Sequence, residues 1–329
     1  MTVELNKIYQ GHCLDVLKTF PNQSINTVVT SPPYWGLRDY GVNGQIGLET
    51  SVQEYISALV DVFREVKRVL RDDGTLWLNL GDAYAGSGRG RNANGKGNPG
   101  NNHFQSDGQF TGIVSVTKVV EGLKPKDLIG LPWRVAFALQ QDGWYLRQDI
   151  IWNKPNAMPE SVTDRPTKAH EYIFLLSKSP KYYYDHESIK EPAVHGDPNP
   201  PRGSKGNIGA IQLGRRENKP KGSFNGKYGK EAFRAIRDKR NKRSVWTVTT
   251  KPLKEAHFAT FPEDLIEPCI IAGAPLNGIV MDPFFGSGTT GTVTIKHNRN
   301  FVGIELNPEY IAIAEKRLGC VQLELINEL

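Results

Sequence analysis

Residues 278–291 read GIVMDPFFGSGTTG (Gly278 to Gly291): a short apolar run, then a glycine-rich turn, then residues that can open a helix. Strand, tight turn and helix in that order are how a parallel sheet carries its chain to the next strand. Gly278–Met281 is therefore expected as a buried strand and Thr289–His297 as the helix after it. Phe301–Glu305 follows as a strand and Asn307–Leu318 as a helix, with Asn307 its cap and Pro308 its first position. Far upstream, Thr27–Thr30 is an apolar run ending in the turn Ser31-Pro32-Pro33-Tyr34. Ser51-Val52-Gln53-Glu54 has capping-box spacing. Val52, Tyr55, Ile56, Leu59, Phe63, Val66 and Leu70 then recur every three or four residues, an amphipathic helix that Asp72-Asp73-Gly74 should stop. Gly74–Gly81 reads as another strand, and Arg147–Trp152 with Glu171–Leu176 as an antiparallel pair. The alternation predicts an α/β fold with a doubly wound sheet.

Composition narrows the function classes. No stretch of about 18 apolar residues is present and residues 1–20 lack the apolar run of an export signal, so the expectation is a cytoplasmic chain with no membrane association. Cys13, Cys269 and Cys320 are widely spaced, predicting buried reduced thiols rather than disulfides or zinc. The histidines show no metal-ligand spacing, so no metal is expected. Residues 201–244 carry fourteen Lys and Arg against three acids, an excess of eleven positive charges. In a chain of net charge +6 the remainder is therefore acidic by five. Such local basicity, interleaved with Phe224, Tyr228 and Phe233, suits a surface that neutralises phosphates, and equally a solvated loop. Arg215, Arg216, Lys219, Lys221, Lys239, Arg240 and Arg243 are its candidate phosphate contacts. From Gly86 to Gly112, eight glycines and five asparagines predict a mobile loop.

The turn Gly286-Ser287-Gly288-Thr289-Thr290-Gly291, with Glu305 ending the next strand, fits the fingerprint for an adenosine-containing cofactor: glycines allow the tight turn and the carboxylate takes the ribose hydroxyls. Taken alone it suits a dinucleotide equally, or a bare strand-to-helix turn. Asp282, Pro283 and Phe284 directly after the strand put a carboxylate where a cationic amino-acid moiety would lie, which favours S-adenosylmethionine. Ser31-Pro32-Pro33-Tyr34 supplies matching chemistry. An exocyclic nucleobase amine is a poor nucleophile because its lone pair is delocalised, so it needs acceptors. The prolines lack N–H groups, leaving a carbonyl and the Ser31 hydroxyl for the amine hydrogens, while Tyr34 can stack on the base. A base inside a duplex would have to be flipped out to reach them. The bland alternative is a rigid turn or a polyproline ligand.

On these motifs the chain resembles the β group of DNA amino-methyltransferases, permuted so that the catalytic motif comes first, the target-recognition region next and the cofactor motif last. The resemblance implies a Rossmann-like methyltransferase fold of mostly parallel strands with an antiparallel terminal hairpin and a small irregular recognition region. Residues 1–180 would be the catalytic part, 181–251 the recognition region and 252–329 the cofactor-binding part. TSPPYWG (Thr30 to Gly36) would be catalytic, through Ser31, Pro32, Pro33 and Tyr34. DIIWNKPN and HEYIFLLSK would be the terminal strands. The segment from His257 to Leu265, with Phe261 and Pro262, would form a helix beside the methionine part of the cofactor. YQGHCLD resembles the family's adenine-side motif, with His12 in place of its usual aspartate, so that His12 or the Cys13 backbone would serve. In this family Ser at the first catalytic position is typical of cytosine-N4 enzymes and Asp or Asn of adenine-N6 enzymes. Ser31 thus points to cytosine, with adenine the alternative. Arg38 would contact DNA or form an internal salt bridge. A homodimer and a cognate restriction endonuclease are compatible partners that the residues leave undecided. Against these readings stands a non-catalytic DNA-binding module, which would explain the basic segment and nothing else.

Overall fold

Short apolar runs such as those of Val28–Val29, Leu76–Leu80 and Ile173–Leu176 build one eight-stranded sheet in the computed structural model, which describes residues 3–37, 39–86, 120, 122–192, 239–251 and 261–327. Its strands are β1 (Lys7–Gln10), β2 (Ile25–Thr30), β3 (Leu70–Leu80), β4 (Tyr145–Asn153), β5 (His170–Ser177), β8 (Val245–Thr247), β9 (Ile279–Asp282) and β10 (Asn300–Glu305). They lie in the order β1-β10-β9-β2-β3-β5-β4-β8. Strands β1 to β3 in that order are parallel, β5 is antiparallel to both its neighbours, and β8 is parallel to β4. The predicted α/β doubly wound sheet with its antiparallel hairpin is the fold found.

Helices cover both faces. On β3 the side chains alternate, so Leu76, Leu78 and Leu80 point to one face and join a core with α1 (Cys13–Thr19), α2 (Val52–Val69) and α3 (Leu131–Gln141). The capping box of α2 is present, Ser51 accepting from Glu54 N, and its apolar stripe is buried as the periodicity requires. The opposite face carries α4 (Glu263–Gly273), α5 (Thr289–Lys296) and α6 (Pro308–Asn327). Gly273, ending α4, sits so close to the sheet that a Cβ there would lie 2.6 Å from Thr27 Oγ1 and 2.8 Å from Trp77 Nε1.

Some boundaries differ from expectation. Helix α2 ends at Val69, and Leu70 already pairs with Ile25, so Asp72-Asp73-Gly74 lies inside β3 rather than ending the helix. The ladder skips from Leu70 to Thr75, and the polar residues between bulge into solvent. Helix α6 runs well past Leu318, through Gly319 to Asn327, a stretch with no proline to break it. Cys13 and Cys269 are buried as expected, whereas Cys320 is exposed on α6.

Residues Met1–Ser188 and Arg243–Leu329 form one compact unit and Ile189–Lys242 a second. Within the second, β6 (Glu191–Pro192) pairs antiparallel with β7 (Lys239–Arg240), and Arg240 Nε donates to Glu191 Oε1 at 2.7 Å. Among the described residues no helix is long and apolar enough to cross a membrane, and no cluster of His, Cys, Asp and Glu could hold a metal ion.

Candidate functional site

Winding direction reverses between β9 and β2. From β9 the chain crosses through α5 to β10 on one side, and from β2 through α2 to β3 on the other. The carboxyl ends of these two neighbours therefore flank the crevice in which doubly wound sheets hold ligands. Out of β2 comes Ser31-Pro32-Pro33-Tyr34, and out of β9 comes Pro283 to Gly291, so the two motifs, some 250 residues apart in sequence, share one edge. A hydrogen bond joins them: Thr30 Oγ1 donates to Asp282 Oδ1 at 2.6 Å.

Asp282 corrects an expectation. Instead of facing the crevice it is 2% exposed, and its oxygens accept from Thr30, from Phe284 N at 3.0 Å and from Thr290 Oγ1 at 2.7 Å. Burial pushes its carboxyl up to about 6, against the pull of the Thr30 and Thr290 hydroxyls. The side chain pins the two loops together.

The turn after Pro283 has the form of a cradle. Gly286 and Gly288 have φ of +52° and +81°, and a Cβ on Gly288 would fall 2.9 Å from Ala314 Cβ of α6. Ser287, Thr289 and Thr290 are buried. Arg317 on α6 donates to Ser287 O at 2.6 Å and to the Ser287 and Thr289 hydroxyls at 3.1 Å. This brace is invisible in the motif itself. Glu305, at the carboxyl end of β10, accepts from Gly286 N and Asn307 N, both at 2.8 Å, and burial raises its pKa. His12 and Cys13 follow β1, whose Gln10 is paired with Glu305, so the adenine-side motif stands next to that carboxylate. The Cys13 thiol is pushed up to about 12 by burial, which keeps it an unreactive packing group. A positive-φ glycine turn with a half-buried carboxylate one strand away fits an adenosine-bearing cofactor. Phe261 and Pro262 precede α4, which Pro262 caps, rather than lying within a helix begun at His257. Residues 257–260 lie outside the described residues.

On the other side, Tyr34 is held by its hydroxyl, which donates to Glu171 Oε2 at 2.8 Å and lies 3.3 Å from Asn79 Oδ1. Burial, then the Glu171 charge, raise its pKa. Glu171 is paired in turn with Lys154, whose ammonium lies 4.1 Å from the centroid of the Trp152 ring. The carbonyl of Pro33 accepts from Tyr55 Oη at 2.8 Å. Tyr34, Gly81, Asp82, Lys154, Lys168 and Glu171 are among the residues lining a cavity of about 250 Å³. Sequence reasoning does not single out Asn79, Glu171 or Lys168. The one local signal for them is a polar Asn79 inside the otherwise apolar run Leu76–Leu80. Of the basic candidates, Lys239 and Arg243 are exposed and Arg240 is paired with Glu191. Arg38, Arg215, Arg216, Lys219 and Lys221, together with residues 87–112, lie outside the described residues.

Residues 25–316 match the family described as DNA methylase, of N6/N4 type. The chain is 49% identical over 318 residues to the type II methyltransferase M.Cfr9I of Citrobacter freundii, covering 96% of this chain and 89% of that protein. It is also 49% identical over 313 residues to M.SmaI of Serratia marcescens, covering 95% and 90%. Among solved structures it resembles the PvuII DNA methyltransferase (cytosine-N4-specific), with a TM-score of 0.60 at 19% identity over 96% of this chain and 87% of that one. A protein of Thermus thermophilus described as a DNA modification methylase, complexed with S-adenosyl-L-methionine, gives a TM-score of 0.53 at 21% identity, covering 95% of each chain.

Proposed function

The chain belongs to the N6/N4 DNA methylase family, and on that premise we propose that it moves a methyl group from S-adenosylmethionine to the exocyclic N4 amine of a cytosine flipped out of double-stranded DNA. The observation that supports this reading is the Thr30–Asp282 bond, which ties the Ser31-Pro32-Pro33-Tyr34 turn to the glycine turn on one sheet edge.

The cofactor brings an electrophilic methyl on a sulfonium. The protein's part is to hold both reactants and sharpen the amine. Glu305 takes the ribose hydroxyls, residues 286–290 form the floor, and His12 with the Cys13 backbone borders the adenine. Ser31 Oγ and the Pro32 carbonyl accept the two amine hydrogens, drawing the nitrogen toward tetrahedral geometry so that its lone pair faces the methyl. Tyr34, fixed by Glu171, supports the ring. Ser31 rather than an acid favours cytosine, and adenine-N6 is the alternative. Residues 181–251 are assigned to target recognition. Nucleoside mass spectrometry of DNA incubated with the pure protein and S-adenosylmethionine tests the reading: N4-methylcytosine is expected, N6-methyladenine would reverse the base assignment, and no methylated base would defeat the proposal.

Two further results are expected. A Cβ on Gly81 would lie 2.6 Å from Tyr34 Cε2, so Gly81→Ala must displace the Tyr34 ring. Single-turnover transfer should fall about tenfold or more, as small misplacements of reacting groups do, with cofactor affinity in calorimetry unchanged. Equal rates would show that Tyr34 placement is unimportant. Arg215→Ala with Arg216→Ala should weaken DNA binding and reduce the slope of log affinity against log salt by about one for each phosphate no longer neutralised. An unchanged slope would mean these arginines do not touch DNA.

A further inference from the structure

The cavity beside Tyr34 contains two lysines in unlike circumstances. Lys154 is engaged by Glu171 and by the Trp152 ring. Lys168, its side chain 16% exposed, has among the described residues one carboxylate oxygen in ion-pair range of its ammonium, Asp82 Oδ2 at 3.8 Å, too far for a hydrogen bond. Asp82 Oδ1 is committed to the backbone N–H groups of Ala83 and Leu131, at 2.8 and 2.9 Å. Among the described residues nothing else accepts from Lys168 Nζ. Burial lowers its pKa while the charges of Asp82, Glu171 and Glu160 oppose the shift and Arg165 adds to it. A largely buried ammonium with donors to spare is costly unless something in the cavity accepts from it.

Tyr34 both closes the Ser31-Pro32-Pro33-Tyr34 turn and lines this cavity; resting on the proposed base-flipping reaction, with the ring of the flipped base taken to lie here, we propose that Lys168 selects cytosine over adenine by donating a hydrogen bond to the base's O2. With the amine held at Ser31, both bases next present a ring nitrogen that accepts. The following position separates them: cytosine shows a carbonyl oxygen, adenine a C–H. A cation there gains an acceptor from cytosine, while adenine leaves it desolvated and unpaired, the kind of mismatch by which polar pockets reject analogues most strongly.

The test uses the full chain on duplexes carrying cytosine or adenine at the target position, the site having been mapped by sequencing methylated DNA. Single-turnover rates are compared for wild type, Lys168→Met and Lys168→Gln, with S-adenosylhomocysteine affinity and thermal melting as folding controls. Lys168→Met should lower cytosine transfer about tenfold or more without lowering adenine transfer, collapsing the preference. Lys168→Gln, which keeps an N–H donor, should fall between. If Lys168→Met fails to fold, the Lys168→Gln ratio decides. A cytosine-to-adenine ratio equal to wild type, or a proportionate loss on both bases, overturns the role of Lys168 and leaves the proposed function standing. Wild type that methylates adenine alone overturns both the cytosine assignment and this role. Wild type that binds the cofactor yet methylates neither base removes the underlying reading and this proposal with it.

Discussion

Ser31→Ala is expected to slow methyl transfer by about 10²–10³-fold in single-turnover kinetics, the scale seen when one preorganised hydrogen-bond partner of a transition state is removed. The cofactor affinity of the variant should match wild type, because Ser31 belongs to the loop leaving β2 and the cradle leaves β9. An amine conjugated with its ring spreads its lone pair over that ring. As the N–C bond forms and the C–S bond breaks, positive charge grows on the nitrogen and its hydrogens become better donors. An acceptor at Ser31 Oγ is thus worth more in the transition state than in the ground state, and such differential binding raises the rate rather than the affinity. Ser31→Asp, which keeps an acceptor, should retain more activity than Ser31→Ala. If Ser31→Ala transferred methyl at the wild-type rate, the amine would have to be polarised by other groups and the assignment of this turn would fail.

The parts of this site that are legible in the sequence are those encoded locally. The capping box at Ser51, the alternating and helical periodicities and the glycine turn each depend on residues within a few positions, and the structure has them. Helix α3 carries no such signal, because it opens at Gly130, with φ of +70°, and Leu131-Pro132 rather than at a polar cap. Helix α4 carries Pro268 in its interior and is capped by Pro262, so propensity argues against it and packing on the sheet overrides propensity. The pairing of Tyr34 with Glu171 spans 137 residues, and the bracing of Ser287 by Arg317 spans 30. Both arise from the order of strands in the sheet, which no local window contains. Asp282 shows the same limit: its place at the carboxyl end of the strand is legible, but the direction of its carboxylate depends on Thr30, 252 residues away.

That buried carboxylate should give the protein an unusual response to acid. Asp282 retains its proton up to about pH 6 when folded, against 3.8 for an exposed aspartate, with burial the largest cause. Between those values the native chain holds a proton that the unfolded chain has released. The contribution of this group is therefore most favourable below about pH 4 and is lost as pH rises through 6, the reverse of a salt-bridged aspartate. A gap of that size corresponds to roughly 3 kcal/mol. Asp282→Asn removes the titration while keeping the shape. Denaturant unfolding across this window should show wild type losing roughly 3 kcal/mol relative to Asp282→Asn as pH rises. At neutral pH the ionised carboxylate still accepts from Thr30, Thr290 and Phe284, whereas the amide offers one oxygen to the same three donors. Asp282→Asn should accordingly loosen the joint between the two loops and lower methyl transfer even where it stabilises the fold. A stability difference constant with pH would mean that Asp282 does not titrate in this range, and undiminished transfer by Asp282→Asn would mean that the Thr30–Asp282 bond does not hold the reactants in line.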